Sequence, residues 1–436
     1  SLYESNPKKA RGLGFILENQ ERHLKSLTET QVSTAFSTAP NNVIKVVRLA
    51  YPNSVRGDIF TEWSMESARD SIFYLKSIYG SSKRGATAGD GVQESFASRY
   101  SSEIEEEVAG ETANDVIVTF TGATGGNLNN PPLIANTVRV FVAGAPVAND
   151  DGAGNLVGTD ISAGTVNYTT GAISVTFSTA PATGQEVLFQ YSYDSEQPSQ
   201  YADLGDVELK LLEYLFRAKA FPLGISWSKM TEILLGTTLQ IDAEESMLQG
   251  VADELKKSLD FQALVLGYRQ SKANSAVTFN ADWSTLNADS EMAHAMSVTR
   301  GISQAGDVIY NKLNRGGVTV MYGGSKAINF IMLHARFDAT GAQPKIGAYK
   351  VGSLDGVDIY KVPSNIVPEN EVVCVWKNET NENDSAIMFG TLIPLYAGQT
   401  LEYKNLYKEQ GLAHFGDYKV TQPDYMTRII FTGLPV

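Results

Sequence analysis

Histidines come first among residues that could do chemistry, and the four in this chain stand apart: His23, His294, His334 and His414. Metal binding by imidazole needs short spacings that bring ligands to one face, as in H-E-x-x-H, and no such spacing occurs. The single cysteine, Cys374, lies inside the apolar run Val372-Val373-Cys374-Val375-Trp376. It has no partner for an intrachain disulfide, and its neighbours make it a small buried hydrophobe in a strand. Asn149 to Asn155 is acid-rich but lacks the carboxylate pattern and closing Glu of an EF-hand loop. Arg56-Gly57-Asp58 spells an integrin-type tripeptide, a match short enough to arise by chance. Asn167-Tyr168-Thr169 and Asn378-Glu379-Thr380 are glycosylation sequons, which mean nothing without a secretory route. There is no G-x-S-x-G elbow, no P-loop and no G-x-G-x-x-G after a strand. We therefore expect no catalytic residue, no cofactor and no metal ligand.

With chemistry set aside, the most informative element is a long helix over Asp242–Arg269. Met247, Leu248, Val251, Ala252, Leu255, Leu259, Ala263, Leu264 and Leu266 follow the three-or-four spacing of one apolar stripe. Asp242 is placed as an N-cap, and Glu245 can reach back as in a capping box. Glu244, Asp253, Glu254, Lys256, Lys257 and Asp260 are expected to stay wet. Such a helix runs ~40 Å at 1.5 Å per residue. That length suits a beam in an elongated, multi-part subunit.

The chain has 436 residues, 43% of them hydrophobic and 19% charged, which describes ordered chain in two or three domains. No stretch approaches the ~18 consecutive apolar residues of a membrane-spanning helix. A net charge of −14, with no large basic cluster, argues against a partner held by phosphate contacts. Ser1-Leu2-Tyr3-Glu4-Ser5 has neither an initiator Met nor a signal-peptide core, as after trimming or propeptide removal.

Residues 1–50 read as an arm with short helical pieces, too poor in large apolar residues to fold alone. Ile72–Ile78 alternates like a strand. Glu103-Ile104-Glu105-Glu106-Glu107 reads as a solvated acidic face. At about Gly110 the composition changes: up to Glu196 there is no Lys and one Arg, Arg139. Alternation becomes strict there. Val116, Val118 and Phe120 mark one face, then Val138, Val140 and Val142, then Ile173, Val175 and Phe177, then Val187, Phe189, Tyr191 and Tyr193. Turn residues separate the runs, as in a small β-sandwich of Ig-like character inserted into a host chain. Leu204–Ala218 reads as an amphipathic helix, and a short element follows from Trp227 to Leu235. Beyond Ala273, strands at Val318–Tyr322, Val357–Val362, Glu371–Trp376, Ala386–Phe389 and Lys419–Phe431 alternate with helices, one opening at Ser325. That is an α+β pattern.

Three ordered blocks resemble the major capsid proteins of large contractile-tailed phages, the T-even group and its relatives. The first is Glu66-Ser67-Ala68-Arg69-Asp70-Ser71-Ile72-Phe73-Tyr74-Leu75-Lys76. In the second, Arg217-Ala218-Lys219-Ala220 leads through Trp227–Leu235 into Ile241-Asp242-Ala243-Glu244-Glu245-Ser246-Met247-Leu248. The third is Asp358-Ile359-Tyr360-Lys361-Val362-Pro363, then Val375-Trp376-Lys377-Asn378, Asp384-Ser385-Ala386, Met388-Phe389 and Ile393-Pro394-Leu395.

The resemblance implies the tailed-phage (Hong Kong 97 type) capsid fold. It assigns residues 1–66 to an N-terminal arm and the start of a peripheral domain, and 67–110 to the first part of an extended loop. The inserted β-sandwich takes 111–196 and the loop's return 197–220. The peripheral domain with its spine helix follows at 221–284, the axial domain at 285–400 and a returning strand at 401–436. The implied function is a late structural protein that self-assembles as hexamers, with pentamers of the same or a related chain, into an icosahedral shell. That shell encloses double-stranded DNA without reading its sequence. The implied partners are further copies of the chain, a vertex pentamer protein, decoration or cement proteins, scaffold and a prohead protease, with no membrane. The implied location is the virion, after assembly in the host cytoplasm. The residues also leave open an adhesin or carbohydrate-binding protein acting through the sandwich, or an encapsulin-like cage.

Overall fold

The computed structural model describes residues 18, 21, 54–83, 85–95, 97, 100, 101, 104–194, 205–239, 243–284, 290–340, 347–378, 384–398 and 400–434. The arm read over residues 1–50 lies outside them except for Glu18 and Glu21, both helical. Asp242 and the side chain of Glu245, the expected cap, also lie outside. The chain divides into two compact units, residues 1–75 with 211–436, and residues 76–210. The described part opens with a short helix α1 (Arg56–Ile59), then β1 (Thr61–Ser64) and the eleven-residue β2 (Arg69–Tyr79).

The second unit is built on β3 (Ile104–Val108), β4 (Thr119–Thr121), β5 (Arg139–Val142), β6 (Ala145–Asp150), β7 (Leu156–Gly158), β8 (Ile161–Val166), β9 (Ile173–Phe177) and β10 (Val187–Ser192). They form two sheets, in the orders β3-β10-β5-β6-β7 and β4-β9-β8. Period-two alternation explains the packing. Ile173, Val175 and Phe177 of one sheet, and Val187, Phe189 and Tyr191 of the other, are buried in one shared core. Two sequence expectations shift here. Val116 and Val118 are exposed and only Phe120 of that trio is buried, because Asp115 turns the chain at φ 61°. Asn114 then holds the amides of Val116 and Ile117, so Ile117 packs on the core instead. The acidic run is not simply a solvated face either. It is edge strand β3, where Glu106 accepts from Gln190 Nε2 at 2.8 Å and Glu107 from Asn129 N at 2.9 Å and from the Tyr191 hydroxyl.

On the far side the chain does not resume as a helix. Leu204–Ala218 contains strand β11 (Val207–Arg217), which pairs with β2 as a sheet of two strands. V-E-L-K-L-L-E-Y-L-F fits both periods, and the partner strand decides in favour of period two. Then follow β12 (Lys219–Ser228), α2 (Lys229–Leu234) and, after one π-helical turn, the 29-residue α3 (Ala243–Ser271). Trp227 belongs to β12 rather than to the short helix.

The remaining elements are β13 (Val277–Asn280), α4 (Glu291–Ala295), α5 (Val298–Leu313), β14 (Val320–Gly323), α6 (Ser325–Ile331), β15 (Phe337–Ala339), β16 (Tyr349–Leu354), β17 (Val357–Lys361), β18 (Glu371–Val375), β19 (Ile387–Ala397), β20 (Leu401–Glu402), β21 (Tyr407–Val420) and β22 (Met426–Thr432). A seven-stranded mixed sheet runs β13-β22-β18-β14-β17-β16-β15, and a five-stranded one runs β1-β19-β21-β12 with β20 on β21. The apolar stripe of α3 serves both. Ala252 and Leu255 pack with Leu395 and Leu412, whereas Ala263 and Leu264 enter the core of Phe60, Tyr322, Val373 and Met426. The helix was legible in sequence because this stripe never breaks.

Candidate assembly surface

Residues flagged for chemistry are used up by the fold. Cys374 is fully buried in β18, and burial pushes its thiol pKa up, away from reactivity. Asp150 accepts from Asn136 N and Gly152 N and from the Tyr168 hydroxyl at 2.6 Å. Asp151 accepts from Ala153 N and Asn155 N, so the acid-rich loop is closed by its own hydrogen bonds. Among the described residues no group of three or more His, Cys, Asp or Glu could hold a metal ion. Asn167 Oδ1 likewise accepts from Thr169 N and Thr170 N in a local turn. His294 stacks on Phe279, with ring centroids 5.5 Å apart, and His334 is buried. His23, Glu379 and Thr380 lie outside the described residues.

Arg56-Gly57-Asp58 forms α1, and its arginine is buried, so it is no receptor motif in this fold. Arg56 pairs with Glu62 and lies 5.3 Å from the Phe389 ring centre. Lys377 closes the C-terminal end of α1, donating to the carbonyls of Gly57 at 2.8 Å, Asp58 at 3.2 Å and Phe60 at 2.9 Å.

Asp260 corrects the sequence reading, because it is 5% exposed rather than wet. It accepts from Ser54 Oγ at 2.7 Å, Arg56 N at 3.2 Å and Val55 N at 3.3 Å, clasping the start of the described chain to α3. Burial raises its pKa, against the pull of Arg56 and the Ser54 hydrogen bond. Nearby His414 is buried with Nδ1 3.1 Å from the Pro394 carbonyl, and burial, with Arg56 adding, brings its pKa down to about 4. Sequence reasoning missed this cluster, since no spacing links residues 56, 62, 260 and 414. The adjoining cavity, lined by Arg56, Leu255, Leu259, Asp260, Leu395 and His414, is about 40 Å³. That is far below the ~300–1,000 Å³ of a small-molecule site. The cluster is a clasp.

What the described surface does offer is the β2–β11 ladder. Both strands have eleven residues, ~35 Å at about 3.3 Å each. Ala218 N donates to Ala68 O at 2.9 Å and Gly80 N to Asp206 O at 2.8 Å, so the strands run antiparallel. Ser71 Oγ donates to Glu213 Oε1 at 2.6 Å, which puts the odd-numbered positions of both strands on one face. Within the first unit that face carries Phe73 (55% exposed), Leu75 (58%), Leu211 (60%) and Leu215 (36%). The second unit's share of β11 carries Val207 and Leu209, also exposed. On the even side Ile72 and Phe216 are buried with Met65 and Met388.

No family model matches the chain, and no curated protein does. Solved structures do. The chain is similar to one from the jumbo bacteriophage PhiKZ capsid, with TM-score 0.38, 11% identity, and 87% of this chain and 92% of that one covered. It is similar to one from the capsid of Myoviridae phage XM1, with TM-score 0.35, 8% identity, and 52% and 78% covered. It is also similar to the SrpI encapsulin of Synechococcus elongatus PCC 7942, with TM-score 0.31, 12% identity, and 52% and 77% covered. Likenesses this distant carry no argument about function.

The ladder's chemistry is therefore read from its own surface. A two-stranded sheet is at best marginally stable in water, and one whose apolar side chains face outward lacks the burial that normally holds it. An exposed row of large apolar side chains of this kind makes the face a candidate contact surface.

Proposed function

We propose that this chain is the major capsid protein of a tailed phage, a structural protein and not an enzyme. It self-assembles as hexamers, with pentamers at the vertices, into an icosahedral virion shell around double-stranded DNA. The reading rests on three sequence blocks in order and above all on one observation, the uncovered apolar face of β2–β11. Phe73, Leu75, Leu211 and Leu215 find their cover on a neighbouring subunit. The finer assignments follow from the same reading: a T-even relative, a peripheral domain at 221–284 carrying α3, an axial domain at 285–400, a returning strand at 401–436, and an Ig-like sandwich within the loop. Scaffold, protease and decoration proteins are its partners during assembly and maturation.

The test is electron microscopy and sedimentation of the purified protein, beside Leu75→Glu and Leu211→Glu. The wild type should form closed polyhedral particles. Each glutamate variant should keep its circular dichroism and lose assembly, because burying an unpaired carboxylate costs several kcal/mol. A wild type that stays monomeric at all concentrations ends the proposal, as does a double variant that still assembles normally.

A further inference from the structure

A second apolar surface lies elsewhere in the first unit, where α2 meets the turn between β20 and β21. Met230, Ile233 and Leu234 of α2, with Leu401 of β20, Leu406 of the turn and Tyr407 of β21, each leave about half or more of their surface in water. The two segments are fastened together. Lys229 N donates to Leu406 O at 2.8 Å, and Glu232 takes Lys229 at 2.6 Å and Lys408 at 2.7 Å, which lowers the Glu232 pKa to about 2. The turn is closed on itself by Tyr403 N to Tyr407 O and Leu406 N to Tyr403 O.

Leu406 is the telling residue. It is 61% exposed and its φ is +63°, in the left-handed region where a branched side chain is disfavoured. Among the described residues its side chain joins no hydrophobic cluster that would repay the strain, and strain of this kind collects at functional contacts. Six such side chains together expose several hundred Å² of apolar surface. That is the scale of the patches that mark interaction sites, and it approaches the ~800 Å² that each partner buries in a stable interface.

From the strain, the rigid mounting and the area we infer that this surface docks a second copy of the chain, with Leu406 as its anchor. The contact is separate from the β2–β11 ladder, and it rests on the reading of the chain as a shell subunit. An assembly that closes in two dimensions needs more than one kind of contact per subunit, and this surface supplies another.

The test compares Leu406→Gly, Ile233→Glu and Leu75→Glu by sedimentation velocity across protein concentration, with thermal melts of the unassembled subunit. Glycine adopts φ +63° without strain, so Leu406→Gly should raise the subunit's melting temperature. It should also raise the concentration at half-assembly by tenfold or more. Ile233→Glu should leave the subunit folded and weaken assembly as much. Wild-type assembly behaviour in both patch variants, with Leu75→Glu defective, overturns this inference and leaves the ladder reading standing. A wild type that never assembles overturns both. If Ile233→Glu lowers the subunit's melting temperature without changing assembly, the face is covered by the chain's own residues 1–53, and the inference is wrong.

Discussion

Ionisation at His414 ties the stability of the first unit to pH. Its folded pKa is about 4, against 6.5 for a free imidazole. Between those values the unfolded chain takes up a proton that the folded chain refuses, so stability present above pH 6.5 is lost as pH falls toward 4. The full loss is on the order of 3 kcal/mol. Asp260 works in the opposite sense: its pKa is raised in the fold, so the folded state gains relative stability as pH falls through that value. Thermal melts should show a shallower decline between pH 6.5 and 4.5 for His414→Gln than for wild type. An unchanged slope would mean that His414 is not the group responsible. Asp260→Ala removes the acceptor from Ser54 Oγ, Val55 N and Arg56 N and should cost about 2–3 kcal/mol at pH 7, read by urea unfolding. None of this was legible in sequence, since buried polarity depends on residues 200 positions apart. From its spacing, Asp260 looks like any wet carboxylate on an amphipathic helix.

Elements were read best where one period ruled alone. The stripe of α3 placed Ala252, Leu255, Ala263 and Leu264 in the core but missed Asp260, and the alternation of β9 and β10 placed their buried faces. Leu204–Ala218 satisfied two periods at once, and its assignment was fixed only by pairing with β2, far earlier in the chain. The glycines of α3 show a similar limit. Gly250 and Gly267 look alike in sequence, each an expensive residue inside a helix by ~1 kcal/mol relative to Ala. A Cβ on Gly250 would meet nothing within 4 Å, whereas one on Gly267 would meet Phe60 Cζ at 2.7 Å and crowd the Tyr322 hydroxyl. Gly250→Ala should therefore stabilise the subunit by up to ~1 kcal/mol. Gly267→Ala should destabilise it by about 1–3 kcal/mol through overpacking, with Tyr322 losing its 3.2 Å bond to Leu264 O. Chemical denaturation of both variants checks the pair, and shifts of the same sign would show that helix propensity, not packing, governs α3.

At the scale of the whole molecule, each unit has its own core. Residues from Ala109 to Tyr193 share one cluster, and Phe60, Leu264, Tyr322, Val373 and Tyr425 belong to another. The composition break near Gly110 made the β block visible in sequence, but composition could not show that the acidic strand ahead of it, β3, joins the same sheet. That detail decides how to remove the block. Deleting Asp115–Asp194 takes away β10 and strands β3 without its partner. A cut at 104 and 194 removes both, with a Gly-Ser linker joining the ends, and it falls where the strands are paired, Ile104 lying opposite Ser192 at ~5 Å. With the cores separate, the first unit should melt within about 2 °C of its intact value, since no residue of its core is lost. If the block bridges neighbouring subunits, its removal acts instead through effective concentration, where linked contacts multiply affinity by ~10²–10⁴. Particles of the deleted chain should then come apart at lower denaturant than intact ones, as followed by light scattering, while subunit unfolding stays put. Equal resistance of the two particles would remove the bridging role and leave the block as an ornament on the shell.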